Sequence, residues 1–137
     1  MEAWYPGTTW NPSGSSISIL SDWEGNSGRT TYAAIGGCYY SARLAVCEQL
    51  TKERRQATAI VLREARPGYI MPIGVWQVRE NVRNAMRQKP YMFKNLAESL
   101  KFLSSRFEIP LQRWILQSEL LKKALFQKRI SDFFSTK

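Results

Sequence analysis

The chain has no histidine and only two cysteines, Cys38 and Cys47. Ser-His-Asp and Cys-His catalysis are therefore excluded, and two cysteines cannot close a four-ligand zinc site. Any metal would need oxygen ligands. Four carboxylates are candidates: Asp22 and Glu24 after a predicted strand, Glu64 at the end of another, and Glu80 on a predicted helix. Carboxylates at neighbouring strand ends can hold Mg²⁺ for phosphodiester cleavage. Acids at such positions also serve as loop solvation or ion pairs, and no lysine stands beside Glu64. No metal site and no cofactor are assigned. Mg²⁺ enters only if the protein is a nuclease, the alternative to a non-enzymatic reading.

A second constellation is basic. Trp76, Arg79, Arg83 and Arg87 recur at three- and four-residue spacing. On a helix they form a stripe whose guanidinium groups can follow phosphates while Trp76 stacks on a base. The competing reading is a solvated face, with Trp76 in the core and Glu80 paired to Arg79 or Arg83. Arg43, Arg55 and Arg63 join the nucleic-acid candidates, and Lys52, Arg54 and Arg66 extend the patch. Charge supports this. The 137 residues carry 20 Lys+Arg against 11 Asp+Glu, net +9. The first 28 residues hold three of the acids and no base, which leaves the remainder at +12. A strongly basic body suggests a polyanionic partner, although generic solubility charge gives the same total. Gly36-Gly37 at a helix start offers backbone amides to a phosphate, or is simply a turn.

These residues need elements to position them. Ser16–Ser21 is predicted as a strand with Ile17 and Ile19 on one face. A helix is predicted from Gly36-Gly37 to about Arg55, with Cys38, Ala42, Ala45 and Val46 apolar. Both cysteines then lie on it about 13 Å apart, too far for a disulfide. Residues 57–65 form a β-branched run and the candidate central strand, and Tyr69–Met71 a candidate edge strand. Val75, Val78, Val82 and Met86 mark an amphipathic helix that stops before Lys89-Pro90. Asn95 and Glu98 fit a capping box, followed by Leu96, Leu100, Leu103 and Phe107 on one stripe. Pro110 opens a last helix to about Phe126, with Leu111, Trp114, Ile115, Leu121 and Leu125 inward. The opening MEAWYPGTTWNPSGSS reads as irregular. The expectation is an α+β fold: a small β-sheet packed with about four helices in one domain, 1–126, and a short C-terminal tail, 127–137.

The tail contains Gln127, Ile130, Phe133 and Phe134 in the spacing Q-x-x-aliphatic-x-x-aromatic-aromatic. This resembles the peptide that docks on the sliding clamp, proliferating cell nuclear antigen (PCNA). One short helical turn puts residues 130, 133 and 134 on one side as an apolar plug. The same residues would also continue the preceding helix as a stripe packed on the core.

Several stretches of the body, AWYPGTTWNP (3–12), GGCYYSARLAVCEQL (36–50), RQATAIVLREARPGY (55–69) and GVWQVRENVRNAM (74–86), resemble the C-terminal region of the archaeal Nre family. The resemblance implies a place in the DNA damage response and a clamp-binding tail; it implies no reaction. Family members are longer, with a cysteine-bearing zinc-finger-like segment and a larger N-terminal region, neither of which has a counterpart here. A separate partner chain supplying that region is one expectation. The partners expected are PCNA and DNA, with the protein acting as a DNA-repair accessory domain. A nuclease recruited by the same tail and a pure protein-interaction module are the alternatives. With no signal peptide and no apolar run long enough to span a bilayer, the expectation is a cytoplasmic, nucleoid-associated protein without membrane contact.

Overall fold

A computed structural model describes residues 1–68 and 74–126. The elements in chain order are β1 (Glu2–Trp4), β2 (Ser18–Leu20), α1 (Gly37–Lys52), β3 (Arg63–Ala65), α2 (Val75–Arg87), α3 (Leu96–Ser104), α4 (Leu111–Gln117) and α5 (Glu119–Phe126). The class is α+β. The chain divides into two compact units, Met1–Phe93 and the residues from Lys94 onward. Among the described residues, no helix is long and apolar enough to cross a membrane.

The first unit is built on a three-stranded sheet in the order β2-β1-β3. β1 pairs antiparallel with β2, Ala3 opposite Ile19, and parallel with β3, Ala3 opposite Glu64. The central strand is therefore Glu2–Trp4, inside the segment expected to be irregular. Residues 57–65 contribute only the edge strand Arg63–Ala65. Burial explains the choice: Glu2, Ala3 and Trp4 are all buried, whereas most of residues 51–60 are exposed. Before Arg63 the run keeps a bond from the Met1 amino group to the Val61 carbonyl at 2.7 Å, and the strand pairing itself begins at Arg63. The loop after β1 is pinned by Asn11, whose Nδ2 donates to the carbonyls of Trp4 (3.0 Å) and Ser16 (2.8 Å). Trp10 meets Trp4 edge-on at 6.2 Å.

The two helices α1 and α2 pack on each other and run parallel. At their N-terminal ends Gly37 lies against Val75. Midway, Ala45, Val46 and Val82 form a core cluster with Ala42, Leu50 and Val61 against it. Toward their C-terminal ends Glu48 bonds Arg83. Gly36 and Gly74, the residues before the two helices, share nearly the same backbone, φ 63° and ψ −145° against φ 61° and ψ −154°. That region is open essentially to glycine alone. Both helices are thus launched by the same strained-for-others turn.

In the second unit Asn95 caps α3 as expected, while the return bond of the box goes to the residue before the cap. Asn95 accepts from the Glu98 N–H at 2.9 Å, and the Glu98 carboxylate accepts from the Lys94 N–H at 3.1 Å. One long helix was expected after Pro110, but two form. Ser118 is buried in extended backbone (φ −110°, ψ 108°), and its Oγ accepts from the Leu121 N–H at 3.1 Å. A serine that can cap a new helix thus breaks the run, giving five helices among the described residues. Trp114 and Leu121 are fully buried, with Phe107 5.7 Å from Trp114. Burial of Leu121 contributes roughly 2 kcal/mol. The expected edge strand Tyr69–Met71 and the tail from Gln127 lie outside the described residues.

Candidate nucleic-acid interface

The arginine stripe on α2 forms as a stripe, but its middle is occupied. Arg83 presents a fork to Glu48 of α1, Nη2 to Oε1 at 2.6 Å and Nε to Oε2 at 2.7 Å, and its Nη1 donates to Glu80 at 2.6 Å. Glu48 and then Glu80 hold the guanidinium above its ordinary range, and Arg83 in turn holds the Glu48 carboxyl below its own. Arg79 lies 3.5 Å from Glu80. These two arginines therefore tie α2 to α1 and to itself. Trp76 is 52% exposed, not in the core, and Arg87 at the helix end is exposed and without an ion pair to any described residue.

The other basic candidates separate in the same way. Arg63 sits opposite Glu2 in the sheet register and donates to it at 2.9 Å, with its guanidinium stacked 5.1 Å above the Trp4 ring. Both side chains are largely buried, so Arg63 is a sheet component. Arg43 donates to Glu24 at 2.6 Å. Arg55 is exposed just past α1.

The four candidate carboxylates are each engaged by an arginine. Asp22 binds Arg29 and accepts the backbone N–H groups of Trp23 and Ala34, organising the loop before α1. Burial raises its pKa, but the bond from Arg29 and the two N–H groups outweigh this, and the net direction is down. Glu24 takes Arg43, Glu64 takes Arg66 at 2.7 Å, and Glu80 takes Arg83. No three His, Cys, Asp or Glu side chains among the described residues gather closely enough to hold a metal ion.

A cavity of about 460 Å³ opens between the sheet and the first turns of α1 and α2, walled by Trp4, Trp10, Cys38, Arg63, Gly37 and Val75. Neither helix has a side-chain cap at this end. Glu2 also lines the cavity and neutralises Arg63. Burial and then the Glu2 carboxylate push the Cys38 thiol up to about 11. The Gly36-Gly37 pair has a packing explanation: a Cβ on Gly37 would stand 2.6 Å from Val75 Cγ1. Both cysteines are free.

The family model described as Archaeal Nre, C-terminal, matches residues 24–133. The chain belongs to this family. It is 51% identical over 122 residues to DNA repair protein NreB of Archaeoglobus fulgidus, covering 89% of this chain and 31% of that protein. It is 38% identical over 108 residues to NreA of the same organism, 79% of this chain and 27% of the relative. The NreA of Haloferax volcanii is 43% identical over 82 residues, 58% of this chain and 20% of the relative. The chain thus spans less than a third of the length of these curated relatives. No solved structure matches.

Two residues that sequence reasoning missed are Glu48 and Glu2. Glu48 decides that Arg83 is structural, from 35 positions away, and Glu2 does the same for Arg63 from 61. A helical-face projection of α1 places Glu48 four residues before Lys52, but nothing local indicates which helix it would face.

Proposed function

We propose that this Nre domain is a DNA-repair accessory element. Its tail (Gln127, Ile130, Phe133, Phe134) recruits it to the sliding clamp, PCNA, and its basic body contacts DNA or a repair partner. The observation that carries the reading is the combination of relatives that are DNA repair proteins by name with exposed cations that no described carboxylate neutralises. Ile130, Phe133 and Phe134 supply the apolar plug and Gln127 the polar edge contact. A short peptide that orders on binding gives micromolar affinity, about −8 kcal/mol. Clamp docking makes DNA contact effectively intramolecular, so neither contact has to be strong alone. No observation favours the divalent-metal nuclease, because Asp22, Glu24, Glu64 and Glu80 each bond an arginine.

The test is calorimetric titration of the full chain into an archaeal clamp. Micromolar binding is expected, and it should disappear in the Phe133→Ala/Phe134→Ala variant. Absence of binding by the full chain, or full binding by the variant, refutes the docking role.

A further inference from the structure

We propose that the shared C-terminal end of α1 and α2 is the surface that takes the phosphodiester backbone of DNA, through Lys52, Arg54, Arg55, Arg87 and Lys89. The inference rests on the DNA-contact reading above and assigns its residues. It moves the contact away from the middle of the α2 stripe, where Arg79 and Arg83 already face Glu80 and Glu48.

The geometry follows from the parallel pairing of the two helices. The Glu48–Arg83 bridge fixes one level of the pair. Four residues further on, about 6 Å along each axis, Lys52 and Arg87 stand on the same faces as the bridged residues. There the complementary pair is replaced by two cations. Arg87 lies close enough to act on Glu48 electrostatically. Beyond Lys52 the chain turns, and Arg54 and Arg55 follow; beyond Arg87 comes Lys89. All five are exposed, and none has an ion pair with a described residue. The acids nearby do not cancel them: Glu48 belongs to Arg83, and Glu53, which accepts from Gln49 at 2.7 Å, contributes one charge. Like charges placed side by side are unfavourable in the free protein and favourable once a polyanion lies across them.

The turn itself supplies an independent observation. Arg54 has φ 52°, alone among the described non-glycine residues in being positive. Its N–H donates to Thr51 O at 3.0 Å, and the Arg55 N–H reaches back to Leu50 O at 2.9 Å. This is the helix-ending motif whose left-handed position normally carries glycine. An arginine there costs stability relative to glycine, and a residue held against local preference on an exposed surface points to a role outside the fold. Cations at helix C-termini also complement the helix dipole. That role predicts effects on stability, whereas the proposal predicts effects on DNA affinity.

Fluorescence anisotropy with a labelled DNA duplex, using the full chain over a range of salt, separates the two. Five phosphate contacts give a slope of log K against log salt of about −4.5. The Lys52→Gln/Arg55→Gln/Arg87→Gln variant should fall to about −1.8 and lose roughly 10²–10³-fold in affinity at 0.1 M salt. Arg54→Gly should raise the urea midpoint and still weaken binding by about 8-fold, so the test survives if the triple variant does not fold. A Lys94→Gln/Lys101→Gln/Arg106→Gln variant, which loses the same charge from the second unit, should keep the wild-type slope. The proposal is overturned, with the DNA reading intact, if the triple variant and Arg54→Gly bind as wild type does, or if the control loses as much as the triple variant. Absence of DNA binding by the wild type at low salt overturns both.

Discussion

Replacing Gly37 by alanine tests how the two helices are held together. Gly37 is the first residue of α1, and an added Cβ would lie 2.6 Å from Val75 Cγ1 and 3.8 Å from Val75 Cβ. Ordinary contact begins near 3.4 Å, so roughly 0.8 Å must be recovered by a shift of the helices or a change of the Val75 rotamer. Valine is stiff at χ1 in a helix, and overpacking costs about 1–3 kcal/mol. Against this, alanine in place of glycine returns up to about 1 kcal/mol of helix propensity, less at a first position. The net expectation is destabilisation by about 0.5–2 kcal/mol. Removing the obstructing methyls should reverse the sign. In a Gly37→Ala/Val75→Ala cycle the double variant should be more stable than the sum of the singles by about 1 kcal/mol or more. Urea unfolding of the full chain by far-UV circular dichroism reads both quantities, since 1 kcal/mol moves the midpoint by about 0.5 M at an m-value near 2 kcal/mol/M. If Gly37→Ala alone is stabilising, and its effect simply adds to that of Val75→Ala, the close approach does not exist.

Two further outcomes follow from titratable groups. The Asp22 carboxyl is depressed in the folded state, so its contribution is present above the ordinary value of 3.8 and is lost as pH falls through the lower folded value. Between about pH 5 and that value the unfolded chain binds the extra proton, and stability should rise with pH. Asp22→Asn should flatten this acid limb, and an unchanged slope in urea midpoints from pH 2.5 to 5 would contradict the assignment. The second concerns Cys38, whose thiol at about 11 instead of 9.0 carries about 100-fold less thiolate near neutral pH. Exposed Cys47 should therefore react with a thiol reagent well before Cys38, as mass mapping of partly labelled protein would report. Equal rates would contradict the burial of Cys38 and, after it, the influence of Glu2.

The elements legible in the sequence were those whose signal is local. α2 is observed as Val75–Arg87, where the apolar period placed it, because Val78 and Val82 are its buried residues. The Asn95–Glu98 cap is a contact over three residues and was readable for that reason. α1 stops at Lys52, three residues early, at the turn formed by Arg54. The two edge strands fall inside predicted stretches, Ser18–Leu20 within 16–21 and Arg63–Ala65 within 57–65, but the middle of the sheet was not legible. Its central strand is three residues long in a Trp-, Pro- and Gly-rich segment, and its pairing is decided by residues about 60 positions away. The site followed the same rule. The spacing of Arg79, Arg83 and Arg87 was visible, but which of them is neutralised depends on Glu48 across a helix interface. Trp76 could be read either way from its position, and only the packing of α2 decided for solvent.

The place of β1 in the middle of its sheet has a consequence for synthesis. Neither edge strand touches the other, so the sheet has no interior until Glu2–Trp4 is inserted between them. Ser18–Leu20 reaches it early, but Arg63–Ala65 arrives some 60 residues later, after the whole of α1. At about 5–20 residues per second, the ribosome leaves Trp4 without the Arg63 guanidinium over its ring for several seconds. Closing a loop of that length costs chain entropy before any strand contact offsets it, which makes a formed α1 the natural means of shortening the search. The stretch around Trp4 should therefore need shielding during translation, and the unit should become protease-resistant only once α2, which supplies Val82 to its core, has also cleared the exit tunnel.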